Sequence, residues 1–311
     1  MTKYKRSDRY PIEISALFNC QSKKRLAEIF NTTFSEITMI VDSMEYKFKE
    51  IPKKNSTEMR QISIPNDALA KAQSAIFAFL KRIERPNWLI SSEACKSYID
   101  NAKFHMGNKC VVTADIKKFY DNCKREYVFR FFKEKMKCAP DIAKILTDLT
   151  TYNGGIPTGT STSQIIAYYA YEEMFKEIQA LSEKNNLLFS LYVDDMTFSG
   201  KNDFNHKYFI NKVNCILRKY DHKIKPNKVK YFNANSFKVI TGVILTPDGR
   251  IVTPNNLRKN IIKTNKELIA CNYNDKQLIK KMMGYLYAAR QIESNIFTSI
   301  FNETKKELKS A

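Results

Sequence analysis

The sequence lacks the features of disulfide-rich, zinc-binding and membrane proteins. Its seven cysteines are odd in number, widely scattered and without a C-x-x-C pair, which argues against a disulfide framework and against a zinc site. No apolar run approaches the length of a membrane span, and the N-terminal residues lead into mixed polar sequence without the apolar region of a signal peptide. We therefore expect a cytoplasmic protein with reduced thiols and no membrane partner.

Glycine is also scarce, and its placement is informative. The 311 residues contain eight glycines, and the only dense cluster lies at residues 153–159 (NGGIPTG), just before a predicted helix. Such a loop lets the backbone approach a ligand closely, and free N–H groups at a helix start favour a phosphate or a base-pair edge. No lysine follows Gly159, which excludes the phosphate loop of nucleotide-hydrolysing enzymes. An ordinary helix-capping loop explains the cluster equally well at this point.

Negative charge is in deficit along the whole chain. Lys and Arg total 52 against 32 Asp and Glu, a formal net charge of +20, and the chain also contains 17 Tyr and 20 Phe. A distributed basic excess of this size is typical of proteins with a polyanionic partner, with aromatic rings available for base stacking. Nucleic acid is the leading candidate. The alternative is a set of solvated surface lysines without a partner.

Apolar periodicity predicts a mixture of helices and strands, with a Lys-rich helical segment at the C-terminal end. A chain of this length can bury its own core. Predicted helices cover residues 16–30, 35–44, 67–83, 164–181, 208–219, 256–270, 275–291 and 296–309, with two more between 121 and 150, and residues 97–105 are predicted as a short helix or turn. Predicted strands cover 46–51, 60–64, 109–114, 187–193, 196–199, 229–232, 239–245 and 250–252.

Three acidic residues interrupt or end apolar strands. Asp194 and Asp195 stand at the predicted tip of a hairpin within residues 187–199, and Asp115 follows the apolar strand 109–114. Asp is common in tight turns, so an ordinary hairpin explains the pair when it is taken alone. Grouped aspartates in a strongly basic chain, however, suit nucleotidyl transfer, which uses two divalent ions held by carboxylate oxygens. Without a metal ion, the mutual repulsion of such acids would be costly.

Several motifs, in this order, resemble those of reverse transcriptases. Residues 114–120 (ADIKKFY), 155–161 (GIPTGTS) and 192–195 (YVDD) look like the successive palm motifs of that superfamily. Residues 101–105 (NAKFH) match the N-A-x-x-H signature of bacterial retron reverse transcriptases, and residues 240–242 (ITG) resemble their V-T-G. One departure is Thr158, which stands where the family usually has Gln, and this puts strict base selection in doubt.

The resemblance implies a fold, a cofactor and roles for particular residues. The fold would be an α+β right-hand polymerase, with N-terminal helices and fingers at 1–110, a palm at 111–250 that contains a finger insertion at about 121–154, and a helical thumb at 251–311. Two Mg²⁺ ions would be the cofactor. The implied catalytic metal ligands are Asp115, Asp194 and Asp195; the implied nucleotide-binding residues are Lys53, Lys54, Arg60, Ile116, Tyr120, Pro157, Gly159 and Lys228, with Tyr120 as the gate against a 2′-hydroxyl; and the residues implied in RNA and primer handling are Asn101, His105, Thr241, Gly242, Lys263 and Lys266.

The resemblance also implies an activity and partners. The protein would be an RNA-directed DNA polymerase that extends DNA with dNTPs from a 2′-hydroxyl of its own structured noncoding RNA, giving branched msDNA in the cytoplasm of a bacterium. Antiphage defence with an effector protein would follow. No acidic RNase H module is evident, so we expect a separate enzyme to remove the template. Two alternatives remain: a defence-associated relative with untemplated or protein-primed DNA synthesis, and a catalytically silent RNA-binding scaffold.

Overall fold

A computed structural model describes residues 9–52, 59–91, 93 and 95–310, and it confirms the predicted α+β class. The helices are α1 Lys23–Phe30, α2 Phe34–Asp42, α3 Asp67–Leu80, α4 Tyr98–Phe104, α5 Phe119–Asn122, α6 Arg125–Arg130, α7 Pro140–Thr150, α8 Ser163–Ala170, α9 Glu172–Lys184, α10 His206–Lys219, α11 Asn255–Ala270, α12 Lys276–Ile292 and α13 Thr298–Ser310. The strands are β1 Tyr46–Pro52, β2 Met59–Pro65, β3 Cys110–Asp115, β4 Leu188–Tyr192, β5 Asp195–Gly200, β6 Lys230–Phe232, β7 Lys238–Ile240, β8 Val243–Leu245 and β9 Ile251–Val252.

The strands form three sheets. Strands β1 and β2 pair as an antiparallel hairpin with Tyr46 opposite Pro65, as the alternating sequence predicts. A four-stranded sheet has the order β4-β5-β3-β6, and β7, β8 and β9 form a three-stranded meander. In the four-stranded sheet β3 lies beside β5, so the acid that ends β3 and the acid that begins β5 belong to neighbouring strands.

The chain folds into two compact units. The first contains the described residues up to Cys95, Ala114–Met196 and Asn205–Val229. Its buried side chains include many from α3 and from α6 to α10, and large aromatic rings such as Tyr171, Phe132 and Phe175 are almost completely excluded from water. Burial of such rings is a large apolar contribution to folding.

The second unit contains Lys96–Thr113, Thr197–Phe204 and the residues from Lys230 onward. One buried cluster joins α4 to β3 and to the three-stranded meander and includes Ile99, Val111 and Val243. A separate cluster holds α11 and α12 together around residues such as Ile261 and Met282, with apolar residues of α13 packed on it. The three C-terminal helices predicted from the sequence therefore have a core of their own. The predicted boundaries at residues 110 and 250 stay a prediction.

Two predicted elements are interrupted in the structure. The single helix predicted over 164–181 is wrong, because Tyr171 has φ −115° and ψ 20° and separates α8 from α9. Its hydroxyl accepts a hydrogen bond from the Lys124 N–H at 2.9 Å and donates to the Asn122 carbonyl at 3.3 Å. A tertiary anchor of this kind overrides local helix propensity.

The single strand predicted over 239–245 is also wrong. Thr241 and Gly242 have φ values of 45° and 86°, and the chain turns there between β7 and β8. Positive φ at both central residues is the mark of a type I′ hairpin turn. Within the described part of the chain, no helix has the length and apolar character that a membrane crossing requires.

Candidate active site

The three predicted acids come together at the ends of strands in the first unit. Asp115 ends β3, Asp194 is in the turn between β4 and β5, and Asp195 begins β5. The Ile116 N–H donates a hydrogen bond to the Asp194 carbonyl at 3.0 Å, so the hairpin turn is fixed against the end of β3. A main-chain bond of this kind places the carboxylates by backbone geometry and not by side-chain contacts alone.

A basic segment after α10 is held beside these acids. The Lys225 N–H donates to the Asp115 carbonyl at 2.8 Å, the Lys117 N–H donates to the Lys223 carbonyl at 2.8 Å, and Ile116 forms an antiparallel bridge with Ile224. Burial raises the pKa of Asp194, and the positive charge of Lys225 opposes that rise. Sequence reasoning missed Lys225, although it belongs to the same basic turn as the predicted Lys228.

The carboxylates repel one another and resist ionisation. Burial, and then the negative charge of Asp115, raise the pKa of Asp194 to about 6. Burial raises the pKa of Asp195 to about 7, with the charges of Asp194 and Asp115 adding to the rise and the charge of Lys228 opposing it. Such shifts are typical of neighbouring carboxylates at functional sites, where a bound cation would offset their charge.

The donor set fits a divalent ion that keeps part of its water. Among residues 9–52, 59–91, 93 and 95–310, no three His, Cys, Asp or Glu side chains form a cluster that would hold a metal by themselves. Magnesium usually takes one or two protein carboxylates and completes its shell with water and substrate phosphates. After burial, the negative charges of the neighbouring aspartates contribute to the raised pKa values of Asp194 and Asp195, and a cation would offset these charges. The identity and number of the ions stay a prediction.

The substitution Asp195→Asn is expected to stabilise the metal-free protein at pH 8 by about 1–2 kcal/mol, the usual size of such single-residue effects. Because the folded pKa of Asp195 lies above its unfolded value, its contribution to stability is complete below about pH 4 and is lost as pH rises through about 7. Urea unfolding with a chelator at pH 4 and pH 8 measures this. The free energies of unfolding of wild type and variant should differ at pH 8 and become equal at pH 4.

Metal addition provides the second half of that test. Magnesium should raise the stability of the wild type at pH 8 more than that of Asp195→Asn, since a ligand stabilises the state that binds it. The control is Asp42→Asn, at an exposed carboxylate that ends α2. If Asp42→Asn stabilised the protein as much as Asp195→Asn, the effect would come from the overall charge and not from the acid cluster of Asp115, Asp194 and Asp195.

The hairpin turn contains a strained residue. Val193 has φ 63°, a conformation that β-branched residues rarely adopt. Its N–H donates a hydrogen bond to the Ser91 hydroxyl at 2.9 Å, and Ser91 is 7 % exposed. Ser91 therefore holds the strained turn in place, a role for which the sequence offers no pattern.

Two predicted nucleotide-binding side chains influence the acid cluster electrostatically. Arg60 lies on β2 and its charge lowers the pKa of Asp194. Tyr120 lies on α5, where burial and then the negative charge of Asp194 raise the pKa of its hydroxyl, while Arg60 opposes that rise. Both residues therefore act in the electric field of the acids. Lys53 and Lys54, the other predicted cations of this hairpin, lie outside the described residues.

The glycine loop packs against the β1–β2 hairpin. The Ser63 N–H on β2 donates to the Thr158 carbonyl at 2.8 Å. Gly159 has φ +103°, and a Cβ atom there would lie 2.5 Å from the Ile62 Cγ2 atom. The Ser163 hydroxyl donates to the Pro157 carbonyl at 2.5 Å and fixes the loop at the start of α8. The glycine is thus required by close packing and by backbone conformation together.

The substitution Gly159→Ala is expected to destabilise the protein by about 2–4 kcal/mol, adding left-handed backbone strain to a clash with a stiff β-branched side chain. The matched control is Gly249→Ala, because Gly249 has φ +85° but nothing within 4 Å of an added Cβ; it should cost about 1 kcal/mol. Chemical unfolding measures both. Ile62→Ala in the Gly159→Ala background should recover part of the loss, and equal costs at the two glycines would rule out the clash.

Asn101 and His105 are completely buried in the second unit. The Asn108 amide donates to the Ser199 hydroxyl at 2.7 Å, and the same hydroxyl lies 2.6 Å from His105 Nδ1. The Ser199 hydroxyl therefore links the side chains of Asn108 and His105. Burial lowers the pKa of His105 to about 3, so the ring is neutral at physiological pH and packs as a structural residue.

Asn101 supports the Thr241–Gly242 turn. Its amide donates to the Thr241 hydroxyl at 3.4 Å, and that hydroxyl donates to the Tyr98 carbonyl at 2.8 Å. The side chains of Asn101 and His105 are both completely buried, and they position this turn and Ser199. The RNA and primer handling implied for Asn101 and His105 stays a prediction. An RNA-handling role for Thr241 and Gly242 stays a prediction.

The two remaining predicted RNA-handling residues lie on α11. Lys263 and Lys266 are both exposed, and Lys263 pairs with Glu267 at 3.9 Å. An exposed pair at this distance holds its cation only weakly. Both lysines are thus accessible to an anionic partner, and their role also stays a prediction.

Comparison with known proteins agrees with the motif order. The retron Se72 reverse transcriptase of Salmonella heidelberg (strain 579083-10) is 29% identical over 209 residues, which are 65% of this chain and 55% of that protein. The retron Ec48 reverse transcriptase of Escherichia coli is 24% identical over 228 residues, 68% of this chain and 56% of that protein. The resemblance to bacterial retron reverse transcriptases is thereby confirmed, and the chain spans a little over half the length of these relatives.

Solved structures and family models complete the comparison. A Candida albicans telomerase in complex with a TWJ fragment of telomeric RNA has a TM-score of 0.49 and 13% identity, covering 92% of this chain and 59% of that one. A foamy viral protease-reverse transcriptase in complex with double-stranded DNA also has a TM-score of 0.49, with 15% identity and coverages of 86% and 39%. The family model described as reverse transcriptase (RNA-dependent DNA polymerase) matches residues 51–245. With the three acids, the glycine loop and strand β2 inside that match, the chain belongs to the reverse transcriptase family, whose right-hand polymerase fold is the one predicted.

Proposed function

We propose that this chain is an RNA-directed DNA polymerase that adds deoxynucleotides to a primer on an RNA template. The observation that carries the proposal is the placement of Asp115 and the Asp194–Asp195 pair together, with Lys225 and Lys228 beside them. Nucleotidyl transfer requires little more of a protein than to hold the reacting groups and to balance developing negative charge. The three aspartates can hold metal ions, and the two lysines can offset the negative charge of phosphate groups, so the site meets both requirements.

The residues have separable tasks in this proposal. Asp115 and Asp194 would hold two Mg²⁺ ions, with Asp195 assisting. Bound ions of this kind activate the attacking hydroxyl and offset charge on the triphosphate. Arg60 binds the triphosphate from β2, Lys53 and Lys54 would add to this binding, and Lys228 would act near the leaving group. Tyr120 contacts the sugar and excludes a 2′-hydroxyl.

We further propose the retron type of this reaction. The template is then a structured noncoding RNA of its own, a 2′-hydroxyl of that RNA is the primer, and the product is branched msDNA. Similarity to retron reverse transcriptases and the sequences NAKFH and ITG support this. A cytoplasmic antiphage function with an effector protein is part of the same proposal.

Purification of the chain from its native host with its bound nucleic acid tests the proposal. Sequencing should show one RNA species joined to DNA that is complementary to it. Treatment with a 2′,5′-debranching enzyme should separate the DNA from the RNA, whereas protease should not. DNA of random sequence, or DNA released by protease, would instead support untemplated or protein-primed synthesis. RNA without any DNA would support a silent scaffold.

A further inference from the structure

An open pocket lies between the end of α9 and the beginning of α10, within the first unit. Its volume is about 360 Å³, and it lies in the size range of small-ligand sites. None of the roles proposed above uses it. It is lined by Leu181, Lys184, Asn185, Tyr208, Phe209 and Lys212.

The pocket lies away from the acid cluster. The chain leaves α9 at Lys184, enters β4 at Leu188 and reaches Asp194 beyond the opposite end of that strand. Strand β4 alone, four steps of about 3.3 Å from Leu188 to Tyr192, accounts for a separation of roughly 13 Å. A ligand in the pocket is therefore not the nucleotide that reacts at the acids.

The two helices that form the pocket also contact each other outside it. Glu177 of α9 accepts hydrogen bonds from Lys219 Nζ and from the Tyr220 hydroxyl, each at 2.7 Å. At the pocket end Phe209 is 3 % exposed and belongs to the core. The walls are thus held in place by packing and by an ion pair, as in a preformed site.

The chemistry of the lining suits an aromatic anion. Tyr208 is 59 % exposed, and Lys212 Nζ lies 5.2 Å from the centroid of its ring. Lys184 and Lys212 supply two positive charges, and no lining residue is acidic. Both lysines are exposed. An exposed ring beside such cations is the usual surface for stacking a nucleobase.

We propose that this pocket binds one nucleotide of a single-stranded RNA segment, with the base stacked on Tyr208 and its phosphate between Lys184 and Lys212. The inference rests on the proposed function only in taking RNA as the partner. It adds a second contact to the RNA, outside the catalytic region. An acidic peptide would use the lysines but would leave the Tyr208 ring without a stacking partner.

Photocrosslinking and binding test the proposal on the full chain. A 12-nucleotide single-stranded RNA containing 4-thiouridine is irradiated with the protein in the presence of saturating primer–template duplex, which occupies the catalytic region. Mass spectrometry should find the cross-link on Tyr208. In anisotropy titrations under the same conditions, Tyr208→Ala should weaken RNA binding about tenfold and Tyr208→Phe less than twofold, since stacking needs only the ring. Replacing Lys184 and Lys212 together by Ala should lower the salt slope by about 1.

The matched control is Arg218→Ala, an exposed cation on the same helix α10 and outside the pocket. Tyr208→Ala binding RNA as tightly as Arg218→Ala, or full competition by a poly-glutamate peptide with no cross-link at Tyr208, would overturn the pocket assignment. DNA synthesis on a short primer–template should be unchanged in all four variants. Normal DNA synthesis together with unchanged RNA binding in Tyr208→Ala would refute this inference alone. Absence of DNA synthesis by the wild-type protein would refute the proposed function.

Discussion

Replacing Asp194 by Asn is expected to abolish DNA synthesis while RNA binding stays within about twofold of wild type. The amide has nearly the shape of the carboxylate but lacks its charge, so the substitution removes a metal ligand and leaves the basic surface unchanged. Loss of several kcal/mol of charge stabilisation in the transition state corresponds to a rate reduction of at least about 10³-fold. Incorporation of labelled dNTPs on a primer–template measures the rate, and anisotropy with labelled RNA measures binding.

The control for this experiment is again Asp42→Asn, which makes the same chemical change at an exposed site on α2. It should synthesise DNA at the wild-type rate. Full-length product from Asp194→Asn would refute the assignment of Asp194 as a metal ligand. Loss of RNA binding in that variant would instead point to misfolding of the β4–β5 turn, which thermal unfolding in the absence of metal would reveal.

Replacing Tyr120 by Ala is expected to lower discrimination against ribonucleotides by about 100-fold, the usual limit for sensing one hydroxyl by shape. The ring is partly buried next to Phe119, whose ring centroid lies 5.6 Å away, and in the proposed complex it fills the space below the sugar. Removing it creates room for a 2′-hydroxyl. Single-nucleotide incorporation with matched dNTP and rNTP measures the ratio of kcat/KM values.

Tyr120→Phe separates the shape of the ring from the chemistry of its hydroxyl. It should keep at least about one third of the wild-type discrimination if the ring alone excludes the 2′-hydroxyl. Unchanged discrimination in Tyr120→Ala would place the gate at another residue. A fall in dNTP incorporation equal to the rise for rNTP would show loss of sugar positioning and not of exclusion.

The elements with strong periodicity were predictable and the interruptions were not. Helix α10 and the three C-terminal helices follow from apolar residues that recur on one face. The break at Tyr171 depends on hydrogen bonds to Asn122 and Lys124, residues almost fifty positions away. The turn at Thr241 depends on a bond to Tyr98. Contacts between residues so far apart in the chain leave no local pattern in the sequence. Helix and strand propensity alone therefore predicts one continuous helix around Tyr171 and one continuous strand around Thr241.

The same division holds for the candidate site. Asp115, Asp194 and Asp195 were predictable because each acid interrupts or ends an apolar strand and matches a family motif. Ser91 and Lys225 were missed because main-chain N–H groups make the contacts that place them. The Val193 N–H donates to the Ser91 hydroxyl, and the Lys225 N–H donates to the Asp115 carbonyl. His105 matched a motif, yet its burial follows from packing around Ser199, and a buried histidine has the same letter in the sequence as an exposed one.

The contact between Gly159 and Ile62 has a consequence for motion. Because the loop and β2 share a main-chain hydrogen bond and a van der Waals contact without room for a methyl group, the two segments move together. Collective loop displacements in enzymes occur on microsecond to millisecond timescales. Any such displacement of Arg60 on β2 is therefore expected to displace the glycine loop as well, which would couple the triphosphate binding proposed for Arg60 to the nucleotide binding predicted for Gly159.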